Sequence, residues 1–152
     1  MLTFPTSQPG ALDLTLPSPV TDQAGNTTTT VHYEVRFAFT GFDRPVNSTA
    51  LNLVKAGSAV PVKVSLADAL GPVSAMNEVT AISNTVVPCS ATSTVGTSTP
   101  DTVTASLSVL TSTSDGKFVY VWKTSNASAG QCRVLTVTLA DRTTQVAAFQ
   151  LR

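Results

Sequence analysis

The sequence predicts an all-β protein built as a two-sheet sandwich or a barrel. Apolar residues recur at every second position along most of the chain, which is the period of a β-strand, and we find no convincing helical stripe. Gly, Pro and Asp residues separate these segments in the way that turns do. Thr is abundant, and its β-branched side chain suits the half-exposed surface of a strand. Many short strands separated by such turns favour a sandwich or a barrel.

The clearest alternation defines the predicted strands, which are 31–39, 60–66, 103–109, 118–122, 135–139 and 146–150. Weaker candidates lie at 12–16, 51–54 and 86–89. The aromatic residues of segment 118–122 share one face, while Val119 and Val121 share the other, so we expect this strand to be buried on both sides. The stretch 90–101 is low in complexity and predicts a surface loop. Turns are predicted at Gly41, Gly57, Gly71-Pro72, Asp115-Gly116, Gly130 and Asp141-Arg142.

The composition excludes several classes of function. The 152 residues suffice for one domain, or for one domain and a fragment of another. Charged residues make up 12% of the chain and cancel to zero, so no basic field would attract nucleic acid or anionic lipid. No apolar run approaches the roughly 20 residues that span a bilayer, so membrane insertion is not expected. The start MLTFPTSQPG lacks the basic and apolar regions of a signal peptide, so an export signal would lie outside this chain.

Residues suited to catalysis are sparse, and the sequence argues against an enzyme. Nucleophilic catalysis needs a base near a Ser or Cys, but the single histidine, His32, lies on the polar side of a predicted strand. Most carboxylates fall at turns, and no converging pair is evident. Asp22 and Asn26 are a weak candidate for calcium, because hard cations take oxygen ligands from loops. A turn held by hydrogen bonds to the Asp22 side chain is the favoured interpretation, and no cofactor is predicted.

Two blocks of the chain resemble a known family. They are FAFTGFDRPVNSTALNLVKAGSAVPVKVSL at 37–66 and VYVWKTSNASAGQCRVLTVTLADRTTQVAAF at 119–149. Both are similar to the PxKF domain, a small all-β module at the C-terminal ends of multidomain bacterial and archaeal surface and secreted proteins. The resemblance implies an extracellular or cell-surface location. It also implies an all-β, immunoglobulin-like two-sheet sandwich with one inter-strand disulfide.

The motif that gives the family its name appears here with one change. It is Pro61-Val62-Lys63-Val64, in which Val replaces Phe and alters core volume rather than pattern. Pro61 cannot donate to a strand ladder, so we expect it on an edge or at the start of a strand. Lys63 falls on the face opposite Val62 and Val64, where we expect a solvated or edge-protecting lysine; an isopeptide donor is the alternative.

Three further features match the family. The resemblance implies that Phe42, in the turn that begins at Gly41, plugs one end of the sandwich. Trp122 is expected in the core near the disulfide, and the alternative is a sugar-stacking platform. Cys89 and Cys132, 43 positions apart, match the family's paired cysteines.

The residues themselves also favour a disulfide. One histidine and two distant cysteines cannot form a four-ligand zinc site in a monomer, and a C-x-x-C spacing is absent. We therefore expect a bond between the strand near Val86 and the strand 131–139, and hence an oxidising compartment. Strand alternation places Cys132 on the face opposite Leu135 unless a bulge intervenes.

Residues 1–34 form a separate unit in this interpretation. The stretch ALDLTLPSPVTDQAGNTTTTVHY at 11–33 resembles the last hairpin of a bacterial immunoglobulin-like repeat, with Asp22, Gly25 and Asn26 as its D-x-x-G-N turn. We expect residues 1–34 to be this terminal hairpin or a strand-donating extension, and 35–152 to be the PxKF-like sandwich. Because an isolated hairpin is marginal in water, it must pack on the second domain or pair with another chain.

Three hypotheses of function follow. The first is a non-enzymatic structural or adhesion module, whose partners are the neighbouring domains of a parent surface protein. The second is a self-assembling subunit of an extracellular filament or sheath, in which N-terminal strands pair with identical subunits. The third is a carbohydrate-binding accessory of a secreted hydrolase with weak carbohydrate contacts, which would require a row of exposed aromatic side chains.

Overall fold

The computed structural model describes residues 3–6, 8–90, 103–104 and 106–152. Short 3₁₀ turns lie at Met76–Glu78, Leu107–Val109 and Asn126–Ser128. The strands are β1 (Gly10–Thr21), β2 (Thr27–Val35), β3 (Ala38–Asp43), β4 (Asn52–Val54), β5 (Ala59–Asp68), β6 (Gly71–Pro72), β7 (Val79–Val87), β8 (Val103–Thr104), β9 (Leu110–Ser112), β10 (Lys117–Lys123), β11 (Cys132–Leu139) and β12 (Thr144–Leu151).

The strands from β3 onward form two sheets. One has the order β3-β5-β10-β9, with β6 added to β5, and the other has the order β4-β12-β11-β7-β8. In chain order these are the A-B-E-D and G-F-C arrangements of an immunoglobulin sandwich. The short β4 follows β3 in the chain but joins the opposite sheet, where it pairs in parallel with β12. The predicted all-β, immunoglobulin-like sandwich with one disulfide is confirmed.

The core lies between the two sheets and is built from alternate residues of the central strands. Phe118 and Phe149 are completely buried, and the rings of Trp122 and Phe149 meet edge to face with centroids 5.1 Å apart. On β11 the buried residues Leu135, Val137 and Leu139 point into this core. Burial of such side chains from both sheets supplies the main stabilising term of a sandwich.

Several strand predictions were wrong in detail. The segment 103–109 is not one strand, because Leu107–Val109 form a 3₁₀ turn whose preceding Ser106 hydroxyl accepts the Ser108 N–H. Strand β10 is buried on one face only, since Val121 is 41% exposed. The predicted strand 31–39 is divided between β2 and β3. Strands β1 and β4 confirm the weaker candidates 12–16 and 51–54. Of the candidate 86–89, only Val86 and Val87 belong to a strand, at the end of the much longer β7.

The predicted loop 90–101 falls, apart from Ser90, outside the described residues.

The N-terminal strands form a sheet of their own. β1 and β2 pair with each other as an antiparallel hairpin, and within the described part of the chain they pair with no other strand. The register shifts between Thr15 and Val20, where the strand carries the sequence LPSP. This hairpin leads directly into β3 through Arg36 and Phe37.

Candidate functional sites in the hairpin and the sandwich

The hairpin turn is closed by one carboxylate. Asp22 Oδ1 accepts the backbone N–H groups of Ala24 and Asn26, both at 2.9 Å, and Oδ2 accepts the Asn26 side-chain amide at 2.9 Å. The hydrogen bond from the Asn26 side chain is the main cause that lowers the pKa of Asp22, and backbone donors add to it. This is the Asx-type turn favoured from the sequence, and Gly25 supplies its positive φ of 89°.

The hairpin has one polar and one apolar face. On the polar face, Asp13 lies opposite His32 across the two strands, and their side chains are hydrogen-bonded. Both side chains are largely exposed, at 64% and 79%, so this pair lies on an open surface rather than in a cleft. Such a pair cross-links the strands on the surface and lacks the enclosure that acid–base chemistry uses.

The apolar face of the hairpin is only partly covered. Its members alternate along both strands, and Leu16 alone is buried, whereas the others are half-exposed. Phe4 packs edge to face on Tyr33, and the Tyr33 hydroxyl donates to the Pro5 carbonyl, so the N-terminal segment shields one part of this face. We call this surface the hairpin apolar face: Leu12, Leu14, Leu16, Val31, Tyr33 and Val35.

The hairpin joins the sandwich at a buried hydrogen bond. Phe37 turns into the sandwich core, and its N–H donates to Asp141 Oδ2 at 2.8 Å instead of to a strand partner. Asp141 is 8% exposed, and its other oxygen accepts the N–H and hydroxyl of Thr143. This bond explains why the long alternating segment 31–39 is interrupted at its centre. Glu78 lies nearby, and burial together with the charges of Asp68 and Asp141 raises its pKa.

The four residues Pro61-Val62-Lys63-Val64 lie on β5, in the centre of its sheet. Val62 and Val64 are buried in the core, and Lys63 faces outward, as predicted. Pro61 pairs with Val121 of β10, while the pairing of β3 with β5 ends at Lys63. On the β3 side, Pro61 therefore lies beyond the paired part of β5, at a local edge of the kind that tolerates a residue without a backbone N–H.

The Gly41-Phe42 turn is a bulge in β3. The register with β5 shifts between Phe39 and Phe42, and Gly41 adopts a φ of 118°. A Cβ on Gly41 would lie 2.9 Å from the Ser48 hydroxyl, which accepts the Phe42 N–H. The bulge turns Phe42 into the core, where it is 9% exposed and meets Phe39 edge to face. Phe42 is thus part of the core, and its role as a plug at the end of the sandwich stays a prediction.

The disulfide lies outside the main core. Cys89 follows the end of β7 and bonds to Cys132 at the start of β11, with Cα atoms 5.1 Å apart. These strands are neighbours in one sheet, whereas the disulfide of antibody domains joins the two sheets. Cys132 belongs to a second apolar cluster with Val87 and Val134, on the face of β11 opposite Leu135. Trp122 belongs instead to the main core, so the two predicted neighbours are in separate clusters.

A pocket opens at the end of the sandwich next to Trp122. Its volume is about 180 Å³. Arg133 occupies an inward position on β11, and its guanidinium donates to Asn84 Oδ1 at 2.6 Å and to Gln131 Oε1 at 2.8 and 3.1 Å. The sequence reasoning missed this site. Its signal was the alternation of Arg133 with Leu135, Val137 and Leu139, which places a charge on the inner face.

Within the described part of the chain, no group of three or more His, Cys, Asp or Glu side chains is suited to holding a metal. Asp22 and Asn26 are occupied with each other in the turn. The described residues include no helix with the length and apolar character needed to cross a bilayer. Comparison of the chain with models of protein families, with curated proteins and with solved structures finds no match.

Proposed function

We propose that this chain is a non-enzymatic structural or adhesion module of a cell-surface or secreted protein. In this proposal residues 35–152 are a PxKF-like sandwich and residues 1–34 are the hairpin that connects it to neighbouring domains. The observation that carries the proposal is the junction, where the hairpin strand passes into the sandwich through Phe37 and is fixed by Asp141. A hydrogen bond of this kind fixes the hairpin relative to the sandwich and does not serve to bind a substrate.

The use of the carboxylates supports a non-enzymatic role. Each of the following accepts hydrogen bonds that close a turn or join neighbouring strands: Asp22, Asp43, Asp68, Asp115 and Asp141. Catalytic carboxylates, by contrast, face a cleft in which a substrate can be reached.

The disulfide supports a location outside the cytosol. A bond between Cys89 and Cys132 indicates folding in an oxidising environment, as in secreted and surface proteins. The low charge and hydroxyl-rich strands agree with this proposal. Labelling of intact cells of the source organism with an antibody to the sandwich tests it directly. Labelling without permeabilisation is expected, and labelling that requires lysis would contradict it.

The oligomeric state tests the module hypothesis. Size-exclusion chromatography with light scattering, under oxidising conditions, should give a single species near the chain mass of 15.7 kDa. Regular fibres or a ladder of oligomers in the same sample would contradict an isolated module and favour the second candidate.

The second candidate is a self-assembling subunit of a filament or sheath. It is favoured by the hairpin apolar face, which stays half-exposed, and by the edges of the two-stranded sheet, which pair with no other described strand. A strand or face from an identical subunit would cover both. In a head-to-tail arrangement such contacts propagate instead of closing.

A matched pair of variants separates the candidates if assemblies form. Val31→Lys places a charge on the hairpin apolar face, whereas Thr30→Lys places the same charge on the polar face of the same strand. Assembly through the apolar face predicts that Val31→Lys abolishes the oligomers and Thr30→Lys leaves them intact. Equal effects of the two variants would exclude this face as the contact.

The third hypothesis, a carbohydrate-binding accessory, gains no support from an aromatic platform. All aromatic side chains of the chain are described, and Phe4 is the only exposed one. Trp122 is 5% exposed and cannot offer its face for stacking.

A further inference from the structure

We propose that the pocket beside Trp122 binds a small organic carboxylate. The inference is independent of the proposed function, since it concerns one end of the sandwich and not the hairpin or the junction. It starts from an anomaly in the packing. The inner positions of a sandwich are apolar, yet Arg133 and Asn84 both point between the sheets at this end and are hydrogen-bonded to each other.

The positive charge of the Arg133 guanidinium has no negatively charged partner among the described residues. Asn84 is 6% exposed, and its amide group also donates to the Val103 carbonyl, so it holds Arg133 in a fixed direction. Both partners of the guanidinium, Asn84 and Gln131, are neutral. Among the described residues no carboxylate pairs with Arg133. A guanidinium carries five N–H groups, and the bonds to described residues use three, so two N–H groups without a described partner could serve a ligand.

The rest of the lining supplies further donors. Trp122 lines the pocket and is 5% exposed, and its indole N–H donates to no described residue. Because no fully buried side-chain nitrogen or oxygen of the described residues lacks a partner, this N–H is open to the pocket. Ser128 is buried to a similar degree, and its hydroxyl likewise has no partner among the described residues. Lys123 adds a second positive charge to the lining, and no Asp or Glu is among the described residues of that lining. A pocket of donors and cations favours an anion.

The size and the walls favour an organic acid over a bare ion. The volume of about 180 Å³ corresponds to roughly six liquid-water volumes, which is smaller than a drug-sized site but enough for a small organic acid. Leu151 and the indole of Trp122 provide apolar walls, which would contact the carbon skeleton of the ligand. The guanidinium would take the carboxylate, because its planar N–H pairs match carboxylate geometry.

The single tryptophan of the chain makes binding directly measurable. Trp122 is the only Trp, so its fluorescence and its one indole N–H resonance report on this pocket alone. Glucuronate and N-acetylglycine are titrated as two carboxylates of different origin, with glucose and N-acetylglycinamide as their neutral counterparts. We expect saturable changes with at least one acid and about tenfold weaker or no binding of its neutral counterpart. The tighter of the two acids identifies the ligand as a sugar acid or a peptide terminus.

Variants decide whether Arg133 carries the binding. Arg133→Met retains the apolar stem and removes the charge, and it should weaken the binding of the acid by about tenfold or more. Arg44→Met removes an exposed charge elsewhere on the sandwich and should bind like the unaltered chain. If Arg133→Met does not fold, Lys123→Met, at an exposed position, should still weaken the binding of the acid by a few-fold. The proposal is overturned if neither acid saturates, if inorganic phosphate binds as tightly, if the neutral counterparts bind equally, or if the variant that folds binds like Arg44→Met.

Discussion

The hairpin and the sandwich use the same sequence pattern with different results. Both are built from strands in which apolar residues alternate with Thr and other polar residues. In the sandwich a second sheet covers the apolar face, so that residues such as Phe118, Leu135 and Phe149 are fully buried. In the hairpin no sheet of the described residues covers it, and Leu12, Leu14 and Val31 stay half-exposed. The alternation thus specifies a strand with two faces, whereas the stability of that strand depends on what covers one of them.

The largest expected contrast is between equivalent truncations in the two regions. Phe149→Ala removes a fully buried ring from the core and should lower the free energy of unfolding by about 3–5 kcal/mol. Leu14→Ala removes a half-exposed side chain from the hairpin, and we expect a loss below about 1 kcal/mol in the same transition. Denaturant unfolding of both variants measures the two values. Losses of similar size would show that the hairpin unfolds together with the sandwich.

Removal of the disulfide should act on the sandwich alone. It closes a loop of 43 residues, and its loss in the double variant Cys89→Ala/Cys132→Ala should cost about 2–4 kcal/mol. Because the bond joins the turn after β7 to β11, within one sheet of the sandwich, the amide resonances of β1 and β2 should stay unchanged in the folded variant. A denaturation midpoint equal to that of the oxidised chain would contradict the stabilising role.

Removal of the hydrogen-bond acceptor Asp141 at the junction should lower the free energy of unfolding by an intermediate amount. Asp141→Ala leaves the buried Phe37 N–H without its partner and opens the Thr143 turn, so we expect a loss of about 1–3 kcal/mol. Asp141→Asn is the matched control, because it retains a side-chain oxygen and should recover part of the loss. Thermal unfolding of the two variants gives the comparison. If Asp141→Asn is as unstable as Asp141→Ala, charge rather than the hydrogen bond fixes the junction.

The smallest expected effect is the pH dependence of stability that Glu78 causes near Asp141. Burial and the charges of Asp68 and Asp141 raise the pKa of Glu78 above its ordinary value of 4.5. The folded state therefore binds this proton more tightly than the unfolded state, so Glu78 destabilises the fold as pH rises from 4.5 through the folded pKa. Glu78→Gln should raise stability at pH 7 by up to about 0.5 kcal/mol and bring no gain at pH 3. An equal gain at both pH values would assign the effect to packing.

The sequence predicted the sandwich more accurately than the details of its strands. Alternation identified β5 because its buried residues follow a strict period of two. On β11 it identified Leu135, Val137 and Leu139, although Cys132 and Val134 are buried on the opposite face. It failed at 103–109, where the same spacing hides a local hydrogen bond between Ser106 and Ser108 that favours a 3₁₀ turn. It also failed at Val121, since alternation shows that a face is apolar but not whether another layer covers it.

The candidate sites show the same division. The Asp22 turn was predictable because its hydrogen bonds are local. The Asp13–His32 pair was not, because the shift between Thr15 and Val20 changes which residues face each other across the hairpin. The interruption at Phe37 depends on Asp141, which is 104 positions away in the chain and has no signal in the local pattern.

Amide hydrogen exchange of the intact chain tests most directly whether the two regions differ in stability. Amides paired between β10 and β5 and between β11 and β7 should exchange only through global unfolding, whereas amides paired between β1 and β2 should exchange through local opening. The account predicts that the hairpin amides exchange much faster and respond little to Phe149→Ala. Equal protection of the two regions, falling together in that variant, would contradict it.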